Sequence, residues 1–169
     1  MDSIVLGGGC FWCLEATYQL VRGVESVLPG YSGGKGKDPD YYDIQDHAEV
    51  VKIEFNEGDI KLEEILEIFW SIHDPTTINR QGNDIGGQYR SIILYKNNEQ
   101  LDAVNSSLKE ANKLWDGKIV TEVGKLDKFY EAEAEHHNYF ISHPEQAYCQ
   151  IVINPKLEKF QKKFAEKLK

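Results

Sequence analysis

A mixed α/β fold of the α+β kind is what this sequence predicts, and three observations predict it. Short apolar or alternating runs rich in β-branched residues are interleaved with stretches of one-face helical spacing. Their order along the chain is β-α-β-β-α-β, and no Pro/Ser-rich linker or shift of composition divides the 169 residues. That order is the split βαβ pattern of ferredoxin-like two-layer sandwiches, a mixed sheet containing antiparallel pairs with helices packed on it. A hydrophobic content of 41% over this length can bury one sizeable core, so a single domain spanning 1–169 is expected, with a C-terminal extension.

The elements follow in order. Ser3-Ile4-Val5-Leu6 reads as a short buried strand, and Phe11, Leu14, Tyr18 and Val21 recur on one helical face until Gly23 stops them. Val24 to Leu28 reads as a strand that leads into a glycine-rich loop, Gly30 to Lys37, and loop continues to about Asp46. From Glu49 to Phe55 the chain alternates, with Val51, Ile53 and Phe55 on one face and Lys52 and Glu54 on the other, as a half-buried strand does. Leu62, Ile65, Leu66 and Phe69 mark an amphipathic helix, and Ser91 to Tyr95 marks a strand beyond the polar loop Arg80–Arg90. Asn97 and Gln100 suit a capping box for a third helix with the stripe Leu101, Val104, Leu108, Ala111 and Trp115. Ile119 to Val123 reads as a strand, Tyr148 to Ile153 as another, and Leu157 to Leu168 as a lysine-rich surface helix. Between Phe129 and His143 aromatics and histidines are dense, but the helical pattern is short.

Composition narrows the function. A formal net charge of -9 argues against nucleic acid or an anionic membrane surface as the main partner, because both require clustered cations. The opening Met1-Asp2-Ser3 lacks a basic region and no segment approaches membrane-spanning length, so a cytoplasmic protein is expected. Three cysteines are an odd count that suits reactive thiols in a reducing compartment rather than a disulfide framework. No metal and no cofactor are expected: there is no second C-x-x-C, the histidines do not fall at ligand spacing with the first, and the glycine sets match no nucleotide fingerprint.

The chemistry-bearing segment is Gly7-Gly8-Gly9-Cys10-Phe11-Trp12-Cys13, where the first strand ends and helical spacing begins. Cys10 stands at a helix N-terminus, whose unpaired N–H groups and positive dipole end favour the thiolate, the nucleophilic form. Phe11 shares the core stripe, whereas Trp12 lies off it and either packs or walls a pocket for a soft group such as a thioether methyl. Glu15 reads as a first-turn carboxylate. Strand parity puts Glu49 on the apolar face with Val51 and Ile53; there it is either an exposed strand-end glutamate or a desolvated acid of raised pKa, able to protonate a developing oxyanion. His47 reads as a structural hydrogen-bonder, and the loop Arg80–Arg90 as a rigid substrate-binding loop or a surface turn. On these residues an enzyme with a cysteine nucleophile competes with a general thiol–disulfide oxidoreductase using Cys10 and Cys13 and with a module that binds methionine-rich peptides in an aromatic pocket.

Ordered motifs along most of the chain resemble the A-type peptide methionine sulfoxide reductases, which reduce the S epimer of methionine sulfoxide. They are Gly9-Cys10-Phe11-Trp12 with Glu15, Gly30-Tyr31-Ser32-Gly33-Gly34, Asp38-Pro39-Asp40-Tyr41, His47-Ala48-Glu49-Val50-Val51, Phe69-Trp70 with His73 to Thr77, Arg80 to Asp84 with Gln88 to Ser91, and Tyr148-Cys149. The resemblance implies Cys10 as nucleophile, Phe11 and Trp12 as the methyl pocket, and Glu49 as the acid. It further implies Tyr41 and Tyr89 as phenols on the sulfoxide oxygen and Asp84 as a positioning residue. Cys10 would become a sulfenic acid. The segment Tyr42 to Asp46 lacks the cysteine that some members carry, which leaves Cys149, Cys13 or no internal thiol to resolve it; some relatives also carry selenocysteine at the nucleophile position. Methionine sulfoxide in proteins or peptides is the implied partner, with thioredoxin or glutaredoxin and glutathione as reductant.

Overall fold

The apolar opening run, alternate with nothing polar facing inward, becomes the central strand of a six-stranded sheet in the structure, a computed structural model that describes residues 1–169. This strand, β1 (Asp2–Gly7), leads through a tight glycine turn into helix α1 (Phe11–Tyr18). β2 (Val24–Ser32) and β3 (Ala48–Phe55) follow, then α2 (Leu62–Ile72). A short hairpin, β4 (Arg80–Gln81) and β5 (Asp84–Ile85), precedes β6 (Ile92–Tyr95) and α3 (Asn98–Leu114). β7 (Glu122–Lys125), β8 (Phe129–Glu131), the single-turn α4 (Tyr139–Ser142) and α5 (Asn154–Lys163) complete the chain.

The sheet runs β7-β6-β1-β3-β2-β8. β1 pairs antiparallel with both β3 and β6, β2 pairs antiparallel with β3 and β8, and β6 pairs parallel with β7, which makes the sheet mixed. Its two faces are unequal. On one, Ile4, Leu6, Val51, Ile53 and Phe55 pack with Phe11, Leu14, Tyr18, Ile65, Leu66 and Phe69 in a cluster of 25 buried residues. On the other, Val5, Ala48, Val50, Ile92 and Leu94 form a cluster of 5 under Leu126 and Phe129. Burying each such Leu, Ile or Phe contributes roughly 1.5–3 kcal/mol, so the helix-covered face holds the molecule together.

Several boundaries depart from expectation for local reasons. β2 runs on through Gly30 to Ser32 because β8 adds to its outer edge, with Gly30 opposite Glu131; a side chain at Gly30 would collide with the Phe129 ring. The strand expected at Ile119 to Val123 starts later, since its parallel register places Glu122 opposite Ile92. At α3 the Asn97 side chain accepts from the Gln100 N–H at 2.9 Å, but Gln100 Oε1 accepts from the Lys96 N–H rather than closing a reciprocal box. The C-terminal helix begins earlier than expected, at Asn154 with Pro155 in its first turn, and ends at Lys163 before Leu168 bridges back to Val21. Tyr148 to Ile153 is no strand: Cys149–Ile153 is a π-helical turn that runs straight into α5, so apolar content alone misassigned it. No helix is long and apolar enough to cross a membrane.

Candidate active site

α1 can begin immediately behind β1 because three glycines turn the chain without side chains. Gly9 adopts φ +99, which other L-residues rarely tolerate, and a Cβ on Gly8 would stand 2.8 Å from the His73 ring. Cys10 is the N-cap of α1 and its side chain makes no capping bond. The cap is supplied from the sheet: the Phe11 N–H donates to Glu49 Oε1 at 3.1 Å. Glu49 is 1% exposed and faces the helices, as its parity with Val51 and Ile53 required. Burial pushes its carboxyl up to about 8, against the Phe11 hydrogen bond, so it is protonated at neutral pH.

The state of Cys10 departs from the sequence reading. The helix N-terminus is there, but burial pushes the thiol well above its usual range, and the neighbouring Cys13 and Glu49 push the same way. Without substrate, Cys10 is a thiol. Cys13 is held below the usual range, chiefly by the hydrogen bond it receives from Cys10, against the cost of burial, and further by the charge of Lys156. The third cysteine is close at hand. Cys149 is buried in one apolar cluster with Cys10, Cys13, Ala16, Ile153 and Leu157, and all three cysteines are free.

Aromatic rings enclose the start of α1. Phe11 is fully buried and packs on Tyr31 at 5.6 Å and on Tyr41 at 6.3 Å, so it backs the site, while Trp12 is only partly buried. Trp12 stacks on Tyr139 at 3.7 Å and meets the edge of Tyr148 at 5.8 Å. Its Nε1–H donates to His136 Nδ1 at 3.3 Å, which fixes the indole plane. Tyr41 and Tyr89 are both half-buried near Cys10 and Glu49; burial, with the Glu49 charge next, raises the Tyr41 phenol and brings the Tyr89 phenol up to about 12, so both stay protonated donors. Asp84, at the β4–β5 hairpin, accepts from the Tyr148 hydroxyl at 2.8 Å.

The residues singled out as a site in the sequence gather around the start of α1, with His47 and the Arg80–Arg90 loop as neighbours. His47 is structural, accepting from the Gly34 N–H at 3.0 Å and meeting the Gly36 carbonyl at 2.7 Å. The Arg80–Arg90 loop is ordered by its hairpin and the turn Gly87–Tyr89. The sequence reading missed Tyr139, His136 and Glu133, and held Tyr148 only as part of the Tyr148-Cys149 motif, without a role. Glu133 accepts from the Tyr31 hydroxyl at 2.9 Å and the Tyr41 N–H at 3.1 Å, pinning both tyrosines. The density of aromatics and histidines from Phe129 to His143 was the available signal. Glu133, Glu135 and His136 bring ligand atoms within 4.8 Å of one another, but Glu133 and His136 are committed to the tyrosines and Trp12. We read them as scaffold.

A buried thiol, a neutral carboxylic acid and two phenols can together take an oxygen atom from a soft, polar X=O group. The family model described as "Peptide methionine sulfoxide reductase" matches residues 2–168. The peptide methionine sulfoxide reductase MsrA of Saccharolobus solfataricus is 52% identical, over 100% of this chain and 98% of the relative. Among solved structures, reduced Mxr1 from Saccharomyces cerevisiae superimposes with a TM-score of 0.83 at 32% identity, covering 88% of each chain. Mxr1 in complex with Trx2 is similar at a TM-score of 0.61 and 28% identity, over 82% of this chain and 84% of that one.

Proposed function

The chain belongs to the peptide methionine sulfoxide reductase family, and on that footing we propose that it returns the S epimer of methionine sulfoxide, free or in a polypeptide, to methionine at Cys10. The observation that carries the site assignment is Glu49, a buried carboxyl held at about 8 beside the nucleophile. A sulfoxide sulfur becomes electrophilic only when its oxygen is protonated or strongly hydrogen-bonded, and a neutral acid supplies that proton where a carboxylate cannot. Glu49 gives its proton to the sulfoxide oxygen and takes up the thiol's, so no net charge is left buried. The S–O bond breaks, methionine leaves as the thioether, and the oxygen stays on Cys10 as sulfenic acid; the substrate sulfur gains two electrons and the cysteine sulfur loses two. Tyr41 and Tyr89 donate to the same oxygen, Trp12 faces the methyl group with Phe11 behind it, and Asp84 holds Tyr148 over the site. The rival reading, a general dithiol oxidoreductase, is not favoured.

Cys13 is the resolving thiol in this reading, since it stands one helical turn from Cys10 in the same buried cluster. Its sulfur condenses with the sulfenic acid, releases water and leaves a Cys10–Cys13 disulfide. Cys149, next in the same cluster, is second in line. A thioredoxin or a glutaredoxin with glutathione then returns the dithiol, and the complex of the similar Mxr1 with Trx2 supports the protein route. Three free cysteines suit a reducing, cytoplasmic setting. The order β6-β1-β3-β2, with α1 and α2 on one face, supports reading the core as a ferredoxin-like sandwich and the chain as one domain.

One incubation with dabsyl-methionine-S-sulfoxide and dithiothreitol tests the activity, and survival of the sulfoxide overturns it. Mass spectrometry after a single equivalent of substrate without reductant tests the rest. Loss of two hydrogens, mapped to peptides holding Cys10 and Cys13, is expected; a disulfide mapped to Cys149 removes Cys13 from the role.

A further inference from the structure

A large cavity lies away from the aromatic site. A cleft of about 1360 Å³ opens between α2, α3 and α5, and its floor includes Cys13, Leu14 and Thr17 of α1, but neither Cys10 nor Trp12. Cys13 therefore borders the cleft and Cys10 does not, although the two stand one turn apart in one apolar cluster. Cys13 and Thr17, one turn apart, face the cleft, while Trp12 and Cys10 face the tyrosines.

The walls of the cleft carry opposite charges. α5 contributes Lys156, Lys159 and Lys163; α2 and α3 contribute Glu63, Glu67, Glu99 and Asp102. The molecule's four ion pairs leave all of these unpaired, since they join Arg90 to Glu122, Lys96 to Asp2, Lys113 to Glu110 and Lys167 to Glu64. Lys163 is held by Ser71 Oγ at 3.2 Å, which leaves Lys156 and Lys159 free of any side-chain partner in the structure. Between the walls lies an apolar floor of Leu14, Trp70 and Phe160. A ligand that fits this space has a carboxylate for the lysines, an ammonium for the acidic wall and the bulk of an amino acid or short peptide.

We propose that this cleft admits a small thiol reductant bearing both a carboxylate and an ammonium group, which attacks Sγ of Cys13. The proposal rests on the reading that Cys13 resolves Cys10. The cleft is lined by Cys13 and not by Cys10, so a thiol bound in it meets the Cys13 sulfur first. The incoming thiolate forms a mixed disulfide with Cys13 and releases Cys10 with the bonding electron pair, to be protonated there. A second thiol molecule attacks the external sulfur, frees Cys13 and departs as the symmetrical disulfide. Substrate and reductant thus enter by separate doors, and spent disulfide leaves without crossing the methionine pocket.

The test uses the whole chain with cysteine, 3-mercaptopropionate, cysteamine or dithiothreitol as sole reductant. For the double variant Lys156→Glu with Lys159→Glu, the uncharged dithiothreitol reports the change at Cys13 itself; measured against it, KM for cysteine and 3-mercaptopropionate should rise about tenfold and KM for cysteamine should fall. Acid-quenching oxidised protein with a limiting amount of cysteine should leave a cysteinyl adduct mapped to Cys13. Single-turnover methionine formation should be unchanged in the variant; if the unaltered protein forms none, the sulfoxide reading itself has failed. Methionine formation with charge-independent KM values, or an adduct on Cys10 or Cys149, overturns the cleft proposal while leaving the reductase intact.

Discussion

Cys10 and Glu49 both hold their protons near neutral pH, for one reason: each is buried against the covered face of the sheet. A helix N-terminus favours a neighbouring anion by about 0.3–1 kcal/mol, less than one pKa unit, whereas full burial moves a thiol or carboxyl by up to several units. That ratio explains what the sequence could tell. The parity that places Glu49 inward is visible in Glu49 to Phe55, and so is the helix behind Cys10. The depth of Cys10 is not, because it depends on Glu49 and on Cys149, 139 positions further on by the numbering. Replacing Glu49 by glutamine removes the proton but keeps an acceptor for the Phe11 N–H. Sulfenic acid formation should slow about 10²–10⁴-fold while Cys10 remains alkylatable, as stopped single-turnover assays would record. In the unaltered protein the same step should slow as pH rises through about 8, where Glu49 ionises, and this limb should vanish in the variant. An unchanged rate would take Glu49 out of the mechanism.

Among the elements, α1 does more than place Cys10: it anchors the segment that covers it. Glu15, 2% exposed, accepts from the Asn138 N–H at 3.0 Å, and burial raises its pKa against that bond. Asn138 sits at φ 55, so the chain reverses there and delivers Tyr139 onto Trp12. The strand and helix periods of β1 to α3 were readable because each element presents one face to a common core. The stretch from Phe129 to Cys149 was not, since it wraps a site instead of a core face and its single-turn elements have no period. Glu15→Ala leaves the Asn138 amide without its partner and should destabilise the protein by about 1–3 kcal/mol. Hydrogen exchange should locate the loss: amides of Tyr139 to Ser142 should lose protection first, while those of β1 and β3 keep theirs. Uniform loss across the sheet would mean that Glu15 supports the core rather than the cover. A companion change, Trp12→Ala, should raise KM for the sulfoxide about tenfold or more, because a ring face worth roughly 1.5 kcal/mol is removed from the methyl group.

For the whole molecule, the same buried groups set how stability depends on pH. Glu49 has a raised pKa in the folded state, from 4.5 to about 8, so the folded chain binds an extra proton across that window and stability falls as pH climbs through it. His73 is the opposite case. Wedged between the Phe69 carbonyl at 2.6 Å and Ser91 Oγ at 2.7 Å, it is lowered from 6.5 to about 4 by burial, and its contribution is lost as pH falls below 6.5. Each slope is about 1.4 kcal/mol per pH unit, and the two oppose each other where the windows overlap. Stability should therefore be level between about pH 4.5 and 6.5, the overlap of those windows. Above that range only the Glu49 slope survives, joined by the self-repulsion of a chain already at net charge -9. Below it, Asp2, Glu64 and Asp74, all held below the usual carboxylate range in the folded state, add their losses to that of His73. Thermal unfolding at stepped pH should trace this asymmetric plateau. The Glu49→Gln variant should match the unaltered protein near pH 4.5 and exceed it progressively up to about 8, because a carboxyl that must stay protonated in the fold costs more stability the higher the pH. A variant melting lower at pH 8 would show that Glu49 is ionised when the protein folds, and the acid role would go with it.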